Sequence, residues 1–274
     1  MLAVCADDPT TSQRKVAQQC ETSPASVNRI LKEGRLRPWK FKSAQQLYPD
    51  DFAQRKAFCK LLLERHRRDR NFVTNINFSD EATFHVNGSV NKHNTFICSH
   101  DNPHAVAPQP LRSPAVTCWA MISPRNGLLF KLIDSTVTAP VYLEILQTMV
   151  TPLLSNSRNR NQWYQLDGAP AHFAIVVRDH LNSNLAGRWI GRRGPITWPP
   201  RSPDLSVNDF WLWGDVRHRL FSEPRPRTLE DLKAKLTAIL RAIDAGVIRR
   251  AYDSFIRRCA VCVEQEGQYF EQLL

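Results

Sequence analysis

The sequence of 274 residues has no apolar run long enough to span a membrane, which takes about eighteen residues. Its first residues contain no basic segment that leads into an apolar one, as a secretory signal does. Internal repeats and low-complexity segments are also missing. With an ordinary globular composition of 42% hydrophobic and 23% charged residues, these absences indicate a soluble intracellular protein without a membrane partner.

The seven cysteines do not form a disulfide framework. An odd number scattered along the chain is typical of reduced thiols. The only close pair, Cys259 and Cys262, lacks the second pair or the histidine that a zinc site of this kind needs. We interpret the pair as two side chains on one helical turn, with a metal or redox role as the alternative.

Nucleotide-binding signatures are absent as well. The glycines of residues 187–194 have a spacing that matches no phosphate-loop motif, so we expect no nucleotide cofactor. His100 and His104 have the i, i+4 spacing of a helical metal pair. Pro103 argues against a helix at that point, and we assign no metal to the pair.

Positive charge is abundant. The chain has 37 lysines and arginines against 26 acidic residues, a net charge of +11, and residues 1–70 alone hold 15 against 8. An anionic partner follows from this excess, and nucleic acid is the leading one. The alternative is a basic surface that only keeps the protein soluble.

Residues 11–34 have the apolar spacing of two short helices joined by a tight turn. Ser23 suits the N-cap of the second helix, Pro24 its first position and Gly34 its stop. This layout is that of a helix-turn-helix, whose second helix enters the DNA major groove. An ordinary helical hairpin has the same spacing. The candidate DNA-binding residues are Ser26, Asn28, Arg29, Lys32, Arg35 and Arg37.

Apolar patterning divides the chain into three parts. Residues 1–45 hold the all-α helix-turn-helix segment, and residues 46–70 form a basic helix that we interpret as a linker. Residues 71–274 start with strand-like runs and continue with strands alternating with helices. This order predicts an α/β domain with a mixed sheet covered by helices.

Two predicted strands of that domain end on an aspartate, Asp80 and Asp167. Each could cap a turn, as the pair Asp167 and Gly168 does by composition. A third carboxylate, Asp204 or Asp209, lies in the segment of residues 198–214 ahead of a helix. Three such carboxylates suit phosphodiester cleavage, because Mg²⁺ takes oxygen ligands and two ions can activate a water and stabilise the leaving oxygen.

Three acidic segments resemble those of mariner-type transposases. They are Asn77-Phe-Ser-Asp-Glu-Ala-Thr-Phe84, Gln165-Leu-Asp-Gly-Ala-Pro-Ala-His172 and the segment Trp198-Pro-Pro-Arg-Ser-Pro-Asp-Leu-Ser-Val-Asn-Asp-Phe-Trp-Leu-Trp-Gly214. The resemblance implies a ribonuclease H-like core with two Mg²⁺ or Mn²⁺ ions. It also implies cut-and-paste movement of a DNA element with terminal inverted repeats: water nicks the ends, and the freed 3′-hydroxyl attacks target DNA.

Carried over segment by segment, the resemblance assigns the catalytic and metal-binding roles to Asp80, Asp167 and Asp209, and leaves Asp204 as a structural loop residue. It further implies double-stranded DNA as the partner, a homodimer on that DNA and a nuclear location. Only one helix-turn-helix is recognisable where relatives often have two, so the DNA-binding part is expected to be incomplete. A catalytically inactive, transposon-derived DNA-binding protein is therefore the alternative, and a generic nuclease of the same fold is a third.

Five further residues are candidates near these aspartates. His172 has two open interpretations, as a residue that orients a ligand, water or phosphate, or as an ordinary satisfied histidine. Strand alternation points Glu81 away from Asp80, so Glu81 is not expected to be a ligand. The loop arginines between the second and third acidic segments are expected near the cleft, where they would hold DNA phosphates, with solvation as the alternative. These arginines are Arg188, Arg192 and Arg193.

Overall fold

The computed structural model describes residues 1–7, 12–36, 46–87 and 113–274, and the chain divides into two compact units, 1–44 and 45–274. Three residues that the sequence singled out, Arg37, His100 and His104, lie outside the described residues. None of the described helices is both long and apolar enough to cross a membrane.

The first unit consists, in its described part, of helices α1 (Leu2–Asp7), α2 (Gln13–Gln19) and α3 (Pro24–Glu33). Val16, Ala17 and Val27 are buried between them, as the apolar spacing predicted. Helix α1 was not predicted, because six residues are too few to show a helical period in the sequence. It contributes Val4 and Cys5 to the same small core.

Capping interactions fix both ends of α3. The Ser23 hydroxyl accepts a hydrogen bond from the Ser26 N–H at 3.1 Å, and Pro24 occupies the first turn. At the other end, Arg35 and not Gly34 has the left-handed conformation, with a φ of 57°. The Leu36 N–H reaches the Leu31 carbonyl at 2.8 Å, which is the bond of a Schellman motif.

The described strands of the second unit form one six-stranded sheet in the order β3-β2-β1-β4-β5-β6. The pairs β1/β2 and β2/β3 are antiparallel, whereas β4, β5 and β6 follow β1 in parallel. The bounds are β1 Ile76–His85, β2 Ala115–Ser123, β3 Gly127–Ile133, β4 Trp163–Gln165, β5 Trp189–Gly191 and β6 Ile196–Thr197.

Strand β1 differs from its prediction, since it continues to His85 and places Asp80 in mid-strand. The reason is its unequal pairing. It pairs with β2 from Phe78 to His85, but with β4 only from Ile76 to Phe78. The β4 side of β1 is therefore unpaired where Asp80 lies, so the residue still borders an opening of the sheet.

Helices cover both faces of this sheet. One face carries α4, α8, α9 and α10, and the other carries the α5–α6 segment and α7. A hydrophobic core lies on each face of the sheet, and alternate residues of β2 pack into the two cores. Cys118 and Ala120 face the first core, and Trp119 and Met121 face the second. The bounds are α4 Pro49–Arg68, α5 Ala139–Ile145, α6 Thr151–Leu154, α7 Ile175–Asn184, α8 Trp213–Leu220, α9 Leu229–Arg241 and α10 Ala245–Glu264.

Helix α4 is part of the second unit, although the sequence suggested a linker for residues 46–70. It packs against α10, and its residues Phe58, Cys59 and Leu62 are buried in the core beside the sheet. Cys259 and Cys262 lie on one buried side of α10, as free thiols in the same core. Their surroundings agree with the structural interpretation of this pair.

Candidate active site

Three aspartates line one cavity of about 700 Å³ in the second unit: Asp80, Asp167 and Asp209. Phe78 and Gln165 form the last β1/β4 pair, and Asp80 and Asp167 each follow it by two residues. Asp167 lies just beyond the end of β4, and the register places Asp80 and Asp167 at the same position along the two strands. Asp209 comes from the helical turn Asn208–Leu212 that leads into α8.

Asp80 faces the α8 side of the sheet. The Trp213 indole Nε1 donates a hydrogen bond to its Oδ2 at 2.7 Å, which orients the carboxylate from one side. Burial, together with the negative charge of Asp209, raises the pKa of Asp80 well above its usual value. The site thus holds a half-buried carboxylate next to a second one of the same charge.

Asp209 is positioned by a turn that the sheet anchors. The Asn208 side chain donates to the Ala120 carbonyl of β2 at 3.0 Å, and Trp213 is buried one turn later. Desolvation by the surrounding protein, helped by the charge of Asp167, raises the pKa of Asp209 to about 6. The aromatic residues that follow Asp209 therefore hold its backbone, while its carboxylate faces the cavity.

Asp167 forms an ion pair with a histidine, whereas neither Asp80 nor Asp209 has an ion pair within 4 Å among the described residues. The His172 Nδ1 lies 2.5 Å from Asp167 Oδ1, and its Nε2 lies 3.2 Å from Glu81 Oε1. Burial alone would lower the pKa of His172, but these two carboxylates outweigh it and raise that pKa to about 10. The hydrogen bond from His172 also holds the pKa of Asp167 below its usual value against the effect of burial.

His172 is thus a bridge between two acidic side chains, and its ring stacks on Tyr142 at 4.0 Å. Of its two interpretations from sequence, the geometry favours the one in which it orients a candidate ligand. Glu81 points to the other face from Asp80, as alternation predicted, yet it also borders the cavity and is tied to Asp167 through His172. This link was missed because it spans 91 residues of sequence.

Asp204 lies five positions before Asp209 and has a different environment. Its carboxylate accepts two hydrogen bonds from Arg55 of α4, at 2.7 Å to Nη1 and 2.5 Å to Nη2. The Arg55 side chain is fully buried and donates another bond to the Gly267 carbonyl at 2.8 Å. Asp204 therefore fastens the loop ahead of Asp209 to α4, in keeping with a structural role.

The cavity carboxylates fit a divalent cation by their chemistry. Carboxylate oxygens are the ligands that Mg²⁺ and Mn²⁺ prefer, and a cation would offset both the burial and the mutual repulsion that raise the pKa values of Asp80 and Asp209. In the part of the chain that the structure describes, no three acidic, histidine or cysteine side chains are already arranged around a common metal position.

The candidate arginines divide into two groups. Arg192 lines the cavity and Arg193 follows it, whereas Arg188 donates to the Gln162 carbonyl at 3.0 Å and is absent from the cavity lining. Phe173 lies next to both cavity-side arginines, with its ring centroid 4.2 Å from Arg192 Cζ and 5.5 Å from Arg193 Cζ. Arg178, which the sequence did not single out, lies 4.6 Å from the same ring.

In the first unit, α3 and the turn after it present most of the predicted DNA-binding residues to solvent. Asn28, Arg29, Lys32 and Arg35 are exposed. Ser26 is half-buried, and its hydroxyl lies 3.0 Å from the hydroxyl of Ser23. Ser26 thus contributes to the cap of α3, which leaves it less available than its neighbours.

Comparison with known proteins gives consistent matches, although no protein-family model matches the chain. The mariner Mos1 transposase of Drosophila mauritiana is 24% identical over 284 aligned positions, which cover 98% of this chain and 77% of that protein. The transposable element Tcb2 transposase of Caenorhabditis briggsae is 24% identical over 278 positions, with 97% of each chain covered.

A solved structure, the mariner Mos1 paired-end complex with Mg, resembles this chain with a TM-score of 0.80 at 23% identity, covering 98% of this chain and 78% of that one. These matches confirm the resemblance to mariner-type transposases that the three acidic segments indicated. The predicted fold class, a ribonuclease H-like mixed sheet flanked by helices with a helical N-terminal segment, is confirmed as well.

Proposed function

We propose that this chain is a DNA transposase that cuts and moves an element bounded by terminal inverted repeats. The observation that carries the proposal is the convergence of Asp80, Asp167 and Asp209 on one cavity of a ribonuclease H-like sheet. The relatives named as transposases support this proposal, since their sequences align with nearly all of this chain. The basic composition agrees with a DNA substrate.

Asp80, Asp167 and Asp209 would hold two divalent ions, and the Mg in the matched Mos1 complex supports the choice of Mg²⁺ or Mn²⁺. When bound, such ions supply activation of the attacking water or hydroxyl and stabilisation of the leaving oxygen. The chain itself keeps the carboxylates in place: Trp213 holds Asp80, the anchored turn holds Asp209, and His172 holds Asp167.

The reaction has two stages on this proposal. Water first attacks a phosphodiester at the element end, the P–O bond to the 3′-oxygen breaks, and that oxygen leaves as a hydroxyl. The freed 3′-hydroxyl then attacks a phosphodiester of target DNA, which joins the element to the target and releases a target 3′-hydroxyl. Fixed carboxylates favour both displacements because they need no reorganisation when the DNA enters.

The first unit is proposed to bind the terminal repeat. Its exposed α3 residues Asn28 and Arg29 would face base edges, and Lys32 and Arg35 would contact phosphates. We further propose a homodimer on DNA, since both element ends are cut together, and a nuclear location, where that DNA lies. The matched paired-end complexes support the DNA partner and the dimer.

A strand-cleavage assay tests the proposal. The wild-type protein is expected to nick DNA that carries its terminal repeats, and only when Mg²⁺ is present. Asp167→Asn should abolish nicking, because it removes a carboxylate charge. It should still bind the repeat, because asparagine has nearly the same shape as aspartate. Asp253→Asn is the matched control, since Asp253 is exposed on α10 and is not among the described residues that line the cavity.

The same assay separates the other hypotheses. Repeat binding by wild type without nicking in Mg²⁺ or Mn²⁺ would refute the transposase and favour a non-catalytic DNA-binding protein. Nicking of any DNA, without regard to the repeats, would instead indicate a general nuclease.

A further inference from the structure

Three arginines surround one aromatic ring at the rim of the cavity. Phe173 follows His172 in the loop after β4, and the guanidinium carbons of Arg178, Arg192 and Arg193 lie 4.6, 4.2 and 5.5 Å from its ring centroid. We call these four residues the Phe173 cluster. Arg192 is shared with the cavity, so the cluster and the three aspartates belong to one continuous surface.

The backbone around the cluster fixes the positions of its side chains. Arg178 Nε donates to the Phe173 carbonyl at 3.2 Å, which ties the first turns of α7 to the loop. Arg193 has a left-handed φ of 58°, and a β-carbon at Gly194 would lie 2.8 Å from the Trp189 ring. The tight turn after β5 therefore needs this glycine, and it turns two arginines toward Phe173.

The cluster has an excess of positive charge that the described protein does not neutralise. None of its three arginines has an acidic ion-pair partner among the described residues. The three like charges around one ring repel each other, and cation–π attraction at an exposed site is weak. A bound anion would offset this repulsion.

We propose that the Phe173 cluster binds the phosphates of the DNA strand that continues from the phosphodiester cut at the three aspartates. Arginine forks match phosphate oxygens, and Arg192 and Arg193 are exposed to receive them. Because Arg192 also borders the cavity, a strand lying on the cluster leads directly to the carboxylates. This inference deepens the proposed function and depends on it, and it assigns Phe173 the role of holding the three guanidinium groups together.

Binding measured in EDTA tests the cluster apart from catalysis. The full chain is titrated onto a fluorescein-labelled duplex of arbitrary sequence, and anisotropy gives the affinity at a series of salt concentrations. The triple variant Arg178→Gln, Arg192→Gln, Arg193→Gln is expected to bind about 10- to 100-fold more weakly and to reduce the salt slope by about 2 to 3. The charge-matched control replaces Arg241, Arg249 and Arg250, which are exposed on the α9–α10 side, and should change both values much less.

Two substitutions of Phe173 test its own role without a change of charge. Phe173→Leu should weaken duplex binding about threefold, because the guanidinium groups lose their common aromatic ring. Phe173→Tyr keeps an aromatic ring and should bind like wild type. Equal effects of the cluster and control triples would overturn the site, and a Phe173→Leu variant that binds like wild type would overturn the role of the ring. If wild type binds duplex but never nicks repeat DNA in Mg²⁺, the proposed function fails, while the salt slopes still decide whether the arginines bind phosphate.

Discussion

Asp204 and the cavity aspartates of the second unit differ in their counter-charges. This difference distinguishes a structural carboxylate from a candidate metal ligand. Asp204 meets a fully buried guanidinium with two hydrogen bonds. Asp80 and Asp209 have no such partner among the described residues, and their pKa values rise. A carboxylate that the fold has already neutralised fastens a loop, whereas one left without a cation can receive one from solution.

Asp167 is intermediate between these two groups. His172 supplies a positive charge, and the pKa of Asp167 is lowered, yet 46% of its side chain remains exposed. One oxygen is thus held by the protein while the carboxylate still borders the cavity. Such support from a neighbouring side chain is how metal ligands are commonly oriented.

Breaking the Arg55–Asp204 pair is expected to have the largest effect on stability. Asp204→Asn leaves the Arg55 charge buried without its counter-ion, and the free energy of unfolding should fall by about 3–5 kcal/mol in urea titrations. The double variant Arg55→Met, Asp204→Leu should recover most of that loss, because an apolar pair needs no neutralisation. Equal instability of the single and double variants would show that the ion pair is not what matters at this position.

Removal of the His172 bridge should have the next largest effect. The pKa of His172 is raised above its unfolded value, so its contribution is fully present below about pH 6.5 and is lost as the pH rises toward about 10. In thermal melts, the melting temperature of wild type should fall over this window clearly more than that of His172→Gln. Parallel profiles for the two proteins would contradict the bridge. His180→Gln is the control, since His180 contacts the Thr151 hydroxyl instead of a carboxylate.

The smallest effect is expected from the repulsion inside the cavity. A carboxyl whose folded pKa is raised above its unfolded value makes the protein less stable as the pH rises from about 4 to 6. The surrounding protein displaces part of the hydration of Asp209, but its side chain is exposed, so screening by solvent leaves about 1 kcal/mol, and Asp209→Asn should remove this loss. At pH 7, Mg²⁺ should raise the melting temperature of wild type more than that of Asp209→Asn. An equal response of both proteins would count against a cation at this position.

Much of the site was predictable because it follows from local patterns. Alternating apolar runs located the strands that carry Asp80 and precede Asp167, and the acidic segments identified the fold. The pattern placed Asp80 at a strand end, however, since pairing with β2 beyond Phe78 cannot be seen in one strand alone. Strands β5 and β6, of three and two residues, are too short to show a period and were expected as loop.

Long-range partners account for what the sequence could not predict. Arg55 is 149 residues from Asp204, and Glu81 is 91 residues from His172, so no spacing rule connects them. The choice of Asp209 over Asp204 therefore came from family resemblance alone. The structure supplies a physical reason for that choice, because Arg55 already neutralises the Asp204 carboxylate. Arg192 and Arg193 were predicted near the cleft, but Phe173 and Arg178 were missed, because their cluster joins α7 to the turn after β5.

We propose that Asp209, and not Asp204, completes the set of Asp80 and Asp167. The most direct test of this proposal is Mg²⁺-dependent nicking of repeat DNA by Asp204→Asn and Asp209→Asn side by side, at a temperature where both are folded by circular dichroism. We expect Asp204→Asn to nick at close to the wild-type rate per folded molecule, and Asp209→Asn to lose nicking by about a thousandfold or more. Nicking retained by Asp209→Asn and lost by Asp204→Asn would contradict the proposal.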